Sequence, residues 1–127
     1  MNDRVDFMAV AAPAFFGVGL PGSDVSDAQV RWGVAMAMRA SADAMVARVD
    51  ACPHDDYRAD LENVRLTCLV LHGDKDIDPT TLERCGRPTA AGIKGPELRV
   101  YEGAPHGLFV SHRTRLNADI VQFVRGA

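Results

Sequence analysis

Little in this chain marks a specialised partner. It holds only three cysteines, Cys52, Cys68 and Cys85, in 127 residues. They show no metal-ligand spacing and leave an odd one over, so free buried thiols in a reducing cytoplasm are the simplest account. There is no basic tract, and the formal net charge is −3. Neither nucleic acid nor an acidic membrane surface is therefore an expected partner. The apolar run from Phe7 to Leu20 is shorter than the ~20 residues a membrane-spanning helix needs. It resembles the apolar core of a secretory leader, but Asp3 and Asp6 stand where such leaders are positive. A cytoplasmic location is the expectation. No internal repeat or low-complexity tract is present. What remains is 47% apolar and 24% charged, the composition of an ordinary globular domain with one modest core.

The first half reads as helical. A helix is expected over Asp3 to Ala14, weakened by Pro13, followed by a loop at Gly17, Gly19, Pro21 and Gly22. Ser26-Asp27-Ala28-Gln29 has the form of a capping box, in which serine and glutamine satisfy each other's backbone amides. The helix after it should carry Val30, Val34 and Met38 on one face. Ser41 should cap another, with Met45, Val46 and Val49 at helical spacing. Met36, Met38 and Met45 read as packing residues rather than a ligand pocket.

The second half alternates. Cys68 to Leu71 is a continuous apolar run, as in a parallel strand buried on both faces. A helix is expected over Thr81 to Ile93, disturbed by Gly86 and Pro88. Leu98 to Tyr101 is a second strand, Glu102 to Val110 its following loop. Leu116, Ile120, Phe123 and Val124 form the stripe of a last helix, closed by Gly126. Strand, helix, strand, helix makes a βαβ unit with parallel neighbouring strands. The loops after both strands then share one end of the sheet, where catalytic groups gather in open α/β folds.

Those loops hold the chemistry. The first is Leu71-His72-Gly73-Asp74-Lys75-Asp76. The second is Gly103-Ala104-Pro105-His106-Gly107. Histidine can take and return a proton near neutral pH. A carboxylate on its far nitrogen fixes the tautomer and stabilises the imidazolium. An aspartate after a strand is also commonly just a turn or helix cap, and His106 alone could be a surface loop residue. His72 reads as a strand-end residue bonded to backbone, and His54 and His112 as exposed.

Leu69 to Asp76, Val100 to Gly107 and Leu116-Asn117-Ala118-Asp119 together resemble the C-terminal part of an α/β-hydrolase, of the cofactor-free haloperoxidase and aryl esterase branch. Asp3-Arg4, Phe15-Phe16-Gly17 and Asp56 to Leu61 resemble that branch's helical cap and its return to the sheet. The resemblance implies a partial α/β-hydrolase fold. Residues 1–60 would be a helical cap segment and residues 61–127 the C-terminal strand-helix-strand-helix part of the core. It implies Asp76 as the triad acid and His106 as the base, with Asp74 bracing the loop through backbone amides. Asp78 competes with Asp76, because this chain is one residue shorter than the family before the proline matching Pro79. Phe15 is a candidate substrate contact, since this part of the cap borders the family's acyl pocket. No metal or haem is implied.

The family's nucleophile stands in a Gly-x-Ser-x-Gly elbow. No such run exists here, and the serines are Ser23, Ser26, Ser41 and Ser111. The family's oxyanion loop is missing as well. The expectation is the C-terminal half of a serine hydrolase, truncated, a fragment or one piece of a split enzyme. It would carry acid and base but no nucleophile, and by itself be inactive. The whole enzyme would cleave small carboxylic esters, with perhydrolase or haloperoxidase side activity. The chain would self-associate or take an N-terminal complementing chain as partner. The alternative is a non-catalytic remnant or partner-binding module.

Overall fold

The computed structural model describes residues 3–51 and 56–126. Cys52 and His54 lie outside the described residues. Asp3 caps the first helix, α1 (Arg4–Phe16), by accepting a hydrogen bond from the Asp6 amide. α1 runs past Pro13 to Phe16 rather than stopping at Ala14. Gly17 ends it at φ 73°, and the amides of Gly17 and Val18 reach the carbonyls of Ala14 and Pro13. Those bonds satisfy carbonyls that a helix end leaves free. The expected capping box is present at α2 (Asp27–Ala37), with Ser26 and Gln29 bonded both ways. α3 (Ala42–Ala51) follows Ser41, whose hydroxyl accepts from the Ala44 amide at 3.1 Å.

α1 crosses α2 closely at Gly33. A β-carbon there would stand 2.4 Å from the tip of the Phe16 ring. Ala12, Phe16 and Val110 form a buried cluster, with Val25, Val30 and Val34 packed on it. The methionines do not join a core: Met36, Met38 and Met45 are all at least partly exposed. Met36 is 44% exposed, and the Met45 sulfur accepts from the Arg4 guanidinium at 3.4 Å. Three short amphipathic helices do not enclose a centre of their own, so these side chains are left on their outer surfaces.

A short helix, α4 (Arg58–Leu61), leads to β1 (Leu69–Gly73). Parallel to β1 runs β2 (Glu97–Tyr101), in register from Leu69 opposite Glu97 to Gly73 opposite Tyr101. β1 starts and ends later than expected and takes in His72 and Gly73. It is not buried on both faces: Leu69 to His72 are only half-buried. Among the described residues β2 is its one partner strand, so its other edge and part of each face lack cover. The expected helix over Thr81 to Ile93 is two pieces. A π-helical turn (Leu82–Gly86) is capped by the Thr81 hydroxyl, and α5 (Arg87–Gly92) follows. Pro88 sits in the first turn of α5, where its missing N–H breaks no helical bond.

After β2 the chain makes a short helix, α6 (Leu108–Ser111), within what reads as loop, and then α7 (Arg113–Gly126). Tyr101, Ala104 and Leu108 form a second buried cluster joined by Leu71 and Leu116. Of the rest of the α7 stripe Phe123 is half-buried, while Ile120 and Val124 stay open at 41% and 68% exposure. Polar bonds hold α7 to the sheet instead. Asp119 accepts from the Tyr101 hydroxyl, and from Arg99 at 2.7 Å. The Arg115 guanidinium lies 4.1 Å over the Tyr101 ring, a cation–π contact. Burial, and then the Asp119 carboxylate, push the Tyr101 phenol up to about 12. The Tyr101 hydrogen bond holds the Asp119 carboxyl below its ordinary value, with Arg99 adding to the effect. No helix among the described residues is long and apolar enough to cross a membrane.

Candidate active site

The loops after β1 and β2 are laced backbone to backbone. Gly73 permits it: a β-carbon there would meet the Ala104 carbonyl oxygen at 2.2 Å. The Asp74 amide donates to the Tyr101 carbonyl at 3.1 Å, and the Lys75 amide to the Ala104 carbonyl at 2.9 Å. Asp74 Oδ1 accepts from the Gly103 amide at 2.7 Å. Asp74 is thus the loop brace that the sequence suggested.

That lacing brings Asp76 and His106 together. His106 Nδ1 lies 3.0 Å from Asp76 Oδ1 and 2.9 Å from Oδ2. The Asp76 side chain is 4% exposed and that of His106 38%. A carboxylate so buried needs donors on both oxygens. Oδ1 accepts from the Ile77 amide at 2.7 Å and the Thr80 hydroxyl at 3.0 Å. Oδ2 lies 3.2 Å from His72 Nε2. With a carboxylate opposite Nδ1, the neutral His106 ring carries its proton there. Nε2 is left with its lone pair and, among the described residues, no hydrogen bond. Asp78, the rival acid, turns to Arg84 at 3.2 Å on an exposed surface.

α1 holds the histidine loop from the other side. The Phe15 carbonyl, one of the free ones at the helix end, accepts from the Gly107 amide at 2.7 Å. Pro105 is fully buried and rests on Gly17, where a β-carbon would stand 2.7 Å from the proline ring. The Phe15 ring lies 4.7 Å from the His106 imidazole, tilted by 47°. Phe15 and Phe16 also line an apolar cleft of about 520 Å³ with Phe7, Trp32, Met36 and Phe109. The structure therefore places Phe15 between that cleft and His106.

Thr80 escaped the sequence reading. Its hydroxyl reaches Asp76 Oδ1, and lies 3.2 Å from His106 Nδ1. A hydroxyl four positions after the acid, in the same loop, was the available signal. His72 does bond backbone, its Nε2 lying 2.9 Å from the Thr80 carbonyl, but its approach to Asp76 was not foreseen. His112 is not exposed as expected. It is half-buried, bonded to the Ser111 hydroxyl at 2.9 Å and edge-on to Tyr101. Chain continuity explains it, because His112 joins α6 to α7 directly above that buried ring. Ser26 and Ser41 cap helices, and no serine among the described residues bonds His106. Among the described residues, no group of three or more His, Cys, Asp or Glu is placed to hold a metal ion.

No protein-family model matches the chain. Similarity to individual proteins is extensive. The chain is 31% identical over 98% of its length to the non-heme chloroperoxidase CPO-A1 of Kitasatospora aureofaciens, covering 46% of that protein. It is 29% identical over 91% of its length to a bifunctional esterase/perhydrolase of Acinetobacter calcoaceticus, covering 42% of it. A bromoperoxidase crystal structure from Bacillus anthracis matches with a TM-score of 0.86 and 28% identity, over 98% of this chain and 45% of that one. This is the C-terminal portion of an α/β-hydrolase fold. An esterase from Exiguobacterium antarcticum has the same fold, with a TM-score of 0.85 at 23% identity, over 97% of this chain and 43% of that one. The chain spans under half the length of the relatives it matches.

Proposed function

We propose that Asp76 and His106 are the acid and base of a serine-hydrolase triad acting on small carboxylic esters. The observation that carries this reading is the buried Asp76 carboxylate against His106 Nδ1, with Nε2 unbonded. Nε2 takes the proton of a serine hydroxyl as it attacks the ester carbonyl and gives it to the departing alcohol. A water, or a peroxide in the perhydrolase variant of the reaction, then releases the acyl group by the same relay. The relatives named above are a non-heme chloroperoxidase and a bifunctional esterase/perhydrolase.

Serine and oxyanion donors come from a segment outside these 127 residues, either in the same longer polypeptide or in a complementing chain. The open edge of β1 is where its strand adds, since unpaired strand edges are templates for pairing. In this reading residues 1–60 are the cap and 61–127 belong to the core. That boundary falls within α4, whose Leu61 packs on Gly92 of α5. Phe15 flanks the acyl side of the site.

The test is reconstitution. The chain alone should hydrolyse a chromogenic acetate ester no faster than buffer. Joined to the Gly-x-Ser-x-Gly-bearing part of a matched haloperoxidase, it should gain turnover. Asp76→Asn should then lower kcat by about 10,000-fold, and His106→Ala by more. Turnover indifferent to His106→Ala would overturn the assignment.

A further inference from the structure

Two histidines, not one, face Asp76. Oδ1 has the Ile77 amide and the Thr80 hydroxyl beside it. Among the described residues Oδ2 has, apart from His106, only His72 Nε2 near it, at 3.2 Å. The same nitrogen lies 2.9 Å from the Thr80 carbonyl. Both neighbours of His72 Nε2 are acceptors, a carbonyl and a carboxylate, so the proton of the neutral ring stands on Nε2. The two rings around Asp76 are therefore opposite tautomers: His72 protonated at Nε2, His106 at Nδ1.

His72 is built to stay in place. It belongs to β1, in register with Val100. Its side chain is 14% exposed. Gly86 closes over its ring, and a β-carbon there would stand 2.8 Å from Cγ and Nδ1. A ring clamped between a glycine face and a fixed carbonyl has no freedom to follow the carboxylate. The carboxylate must orient to it.

We propose that His72 is a positioning residue. Its Nε2, hydrogen-bonded to the Thr80 carbonyl and standing 3.2 Å from Asp76 Oδ2, sets the rotation of the carboxylate that presents both oxygens to His106 Nδ1. Thr80 closes the arrangement by offering its carbonyl to His72 and its hydroxyl to Asp76. Without His72, Oδ2 loses its fixed polar neighbour and the Asp76 carboxylate turns toward Ile77 and Thr80. This inference rests on the acid–base reading of Asp76 and His106. Its test, however, reads ring protons in the 127-residue chain and needs no turnover, so the two can fail separately.

The experiment is long-range ¹H–¹⁵N NMR of histidine-labelled protein at a pH where both rings are neutral. In the unmodified chain, His72 should carry its proton on Nε2 and His106 on Nδ1. His72→Phe keeps ring volume and removes the donor. In that variant the His106 Nδ1–H signal should weaken or broaden and an Nε2–H form should appear. His72→Gln places an N–H at nearly the same reach and should restore the Nδ1–H signal. A His72 ring protonated at Nδ1 in the unmodified chain overturns the proposal, with no variant needed. So does a folded His72→Phe variant, with α7 and β2 resonances unchanged, whose His106 signals match the unmodified protein. Rescue by glutamine separates positioning from simple packing, which the phenylalanine would already satisfy.

Discussion

The Asp76 side chain, after β1, is 4% exposed and has four polar groups around its two oxygens. Trp32, on α2, is 57% exposed beside an apolar cleft. The two regions differ in what completes them. The strand loops satisfy their polar groups within the chain, through backbone contacts that glycines make possible. The helices α1 to α3 satisfy their backbone and caps but not their apolar faces: Phe7, Val10, Trp32, Met36, Val46 and Val49 remain open. Directional bonds saturate with a few partners, whereas apolar area needs a second surface of comparable size. A buried carboxylate can therefore be fully partnered in a portion of a fold whose core is not closed.

The sharpest way to break this comparison is at the glycines. Gly73→Ala sets a methyl against the Ala104 backbone, which cannot yield without moving the histidine loop. A loss of about 3 kcal/mol is expected, the upper range for forced overpacking, and denaturant unfolding measures it. Gly33→Ala meets only the end of the Phe16 ring and gains helix propensity, so about 1 kcal/mol is expected. Equal losses would erase the distinction between a backbone-locked loop and an adjustable helix contact.

Titration sharpens the comparison next. The Tyr101 phenol is raised to about 12, so the folded state favours its protonated form. That contribution is full below the ordinary value near 10 and lost as pH rises through about 12. Phenolate absorbance should show a step near pH 12 that Tyr101→Phe removes. Asp119 has the opposite sign. Its folded value is lowered, so its stabilising effect holds at neutral pH and disappears as pH falls through that lowered value. A Tyr101 step near 10 would mean that α7 does not close over the ring. The smallest effect belongs to Val10→Gln on the open face of α1, 68% exposed. Stability should change by no more than about 0.5 kcal/mol. A larger loss in thermal unfolding would show that the face is covered.

Sequence periodicity and turn chemistry were enough for the caps at Ser26 and Ser41, the parallel pair of strands and the meeting of the Asp76 and His106 loops. Each depends on residues near in sequence or on a right-handed crossover rule. The division of Thr81 to Ile93 falls where Gly86 and Pro88 disturb the pattern, but the π turn before it was not legible. The partial exposure of β1 follows from the resemblance to part of a larger sheet and not from the apolar run, which says what a strand can bury and not whether a neighbour is there. Thr80 and His72 around Asp76, and His112 against Tyr101, depend on where loops fold back. Spacing does not encode that.

The distance along the chain between Asp76 and its partners has a further consequence. Among the described residues its polar neighbours all lie between positions 72 and 106, and the farthest of these contacts closes over 30 residues. Closures of that length carry a modest entropic penalty and form early relative to distant pairings. In the proposed triad, the hydroxyl meets an acid and a base that this short stretch of polypeptide has brought together by itself.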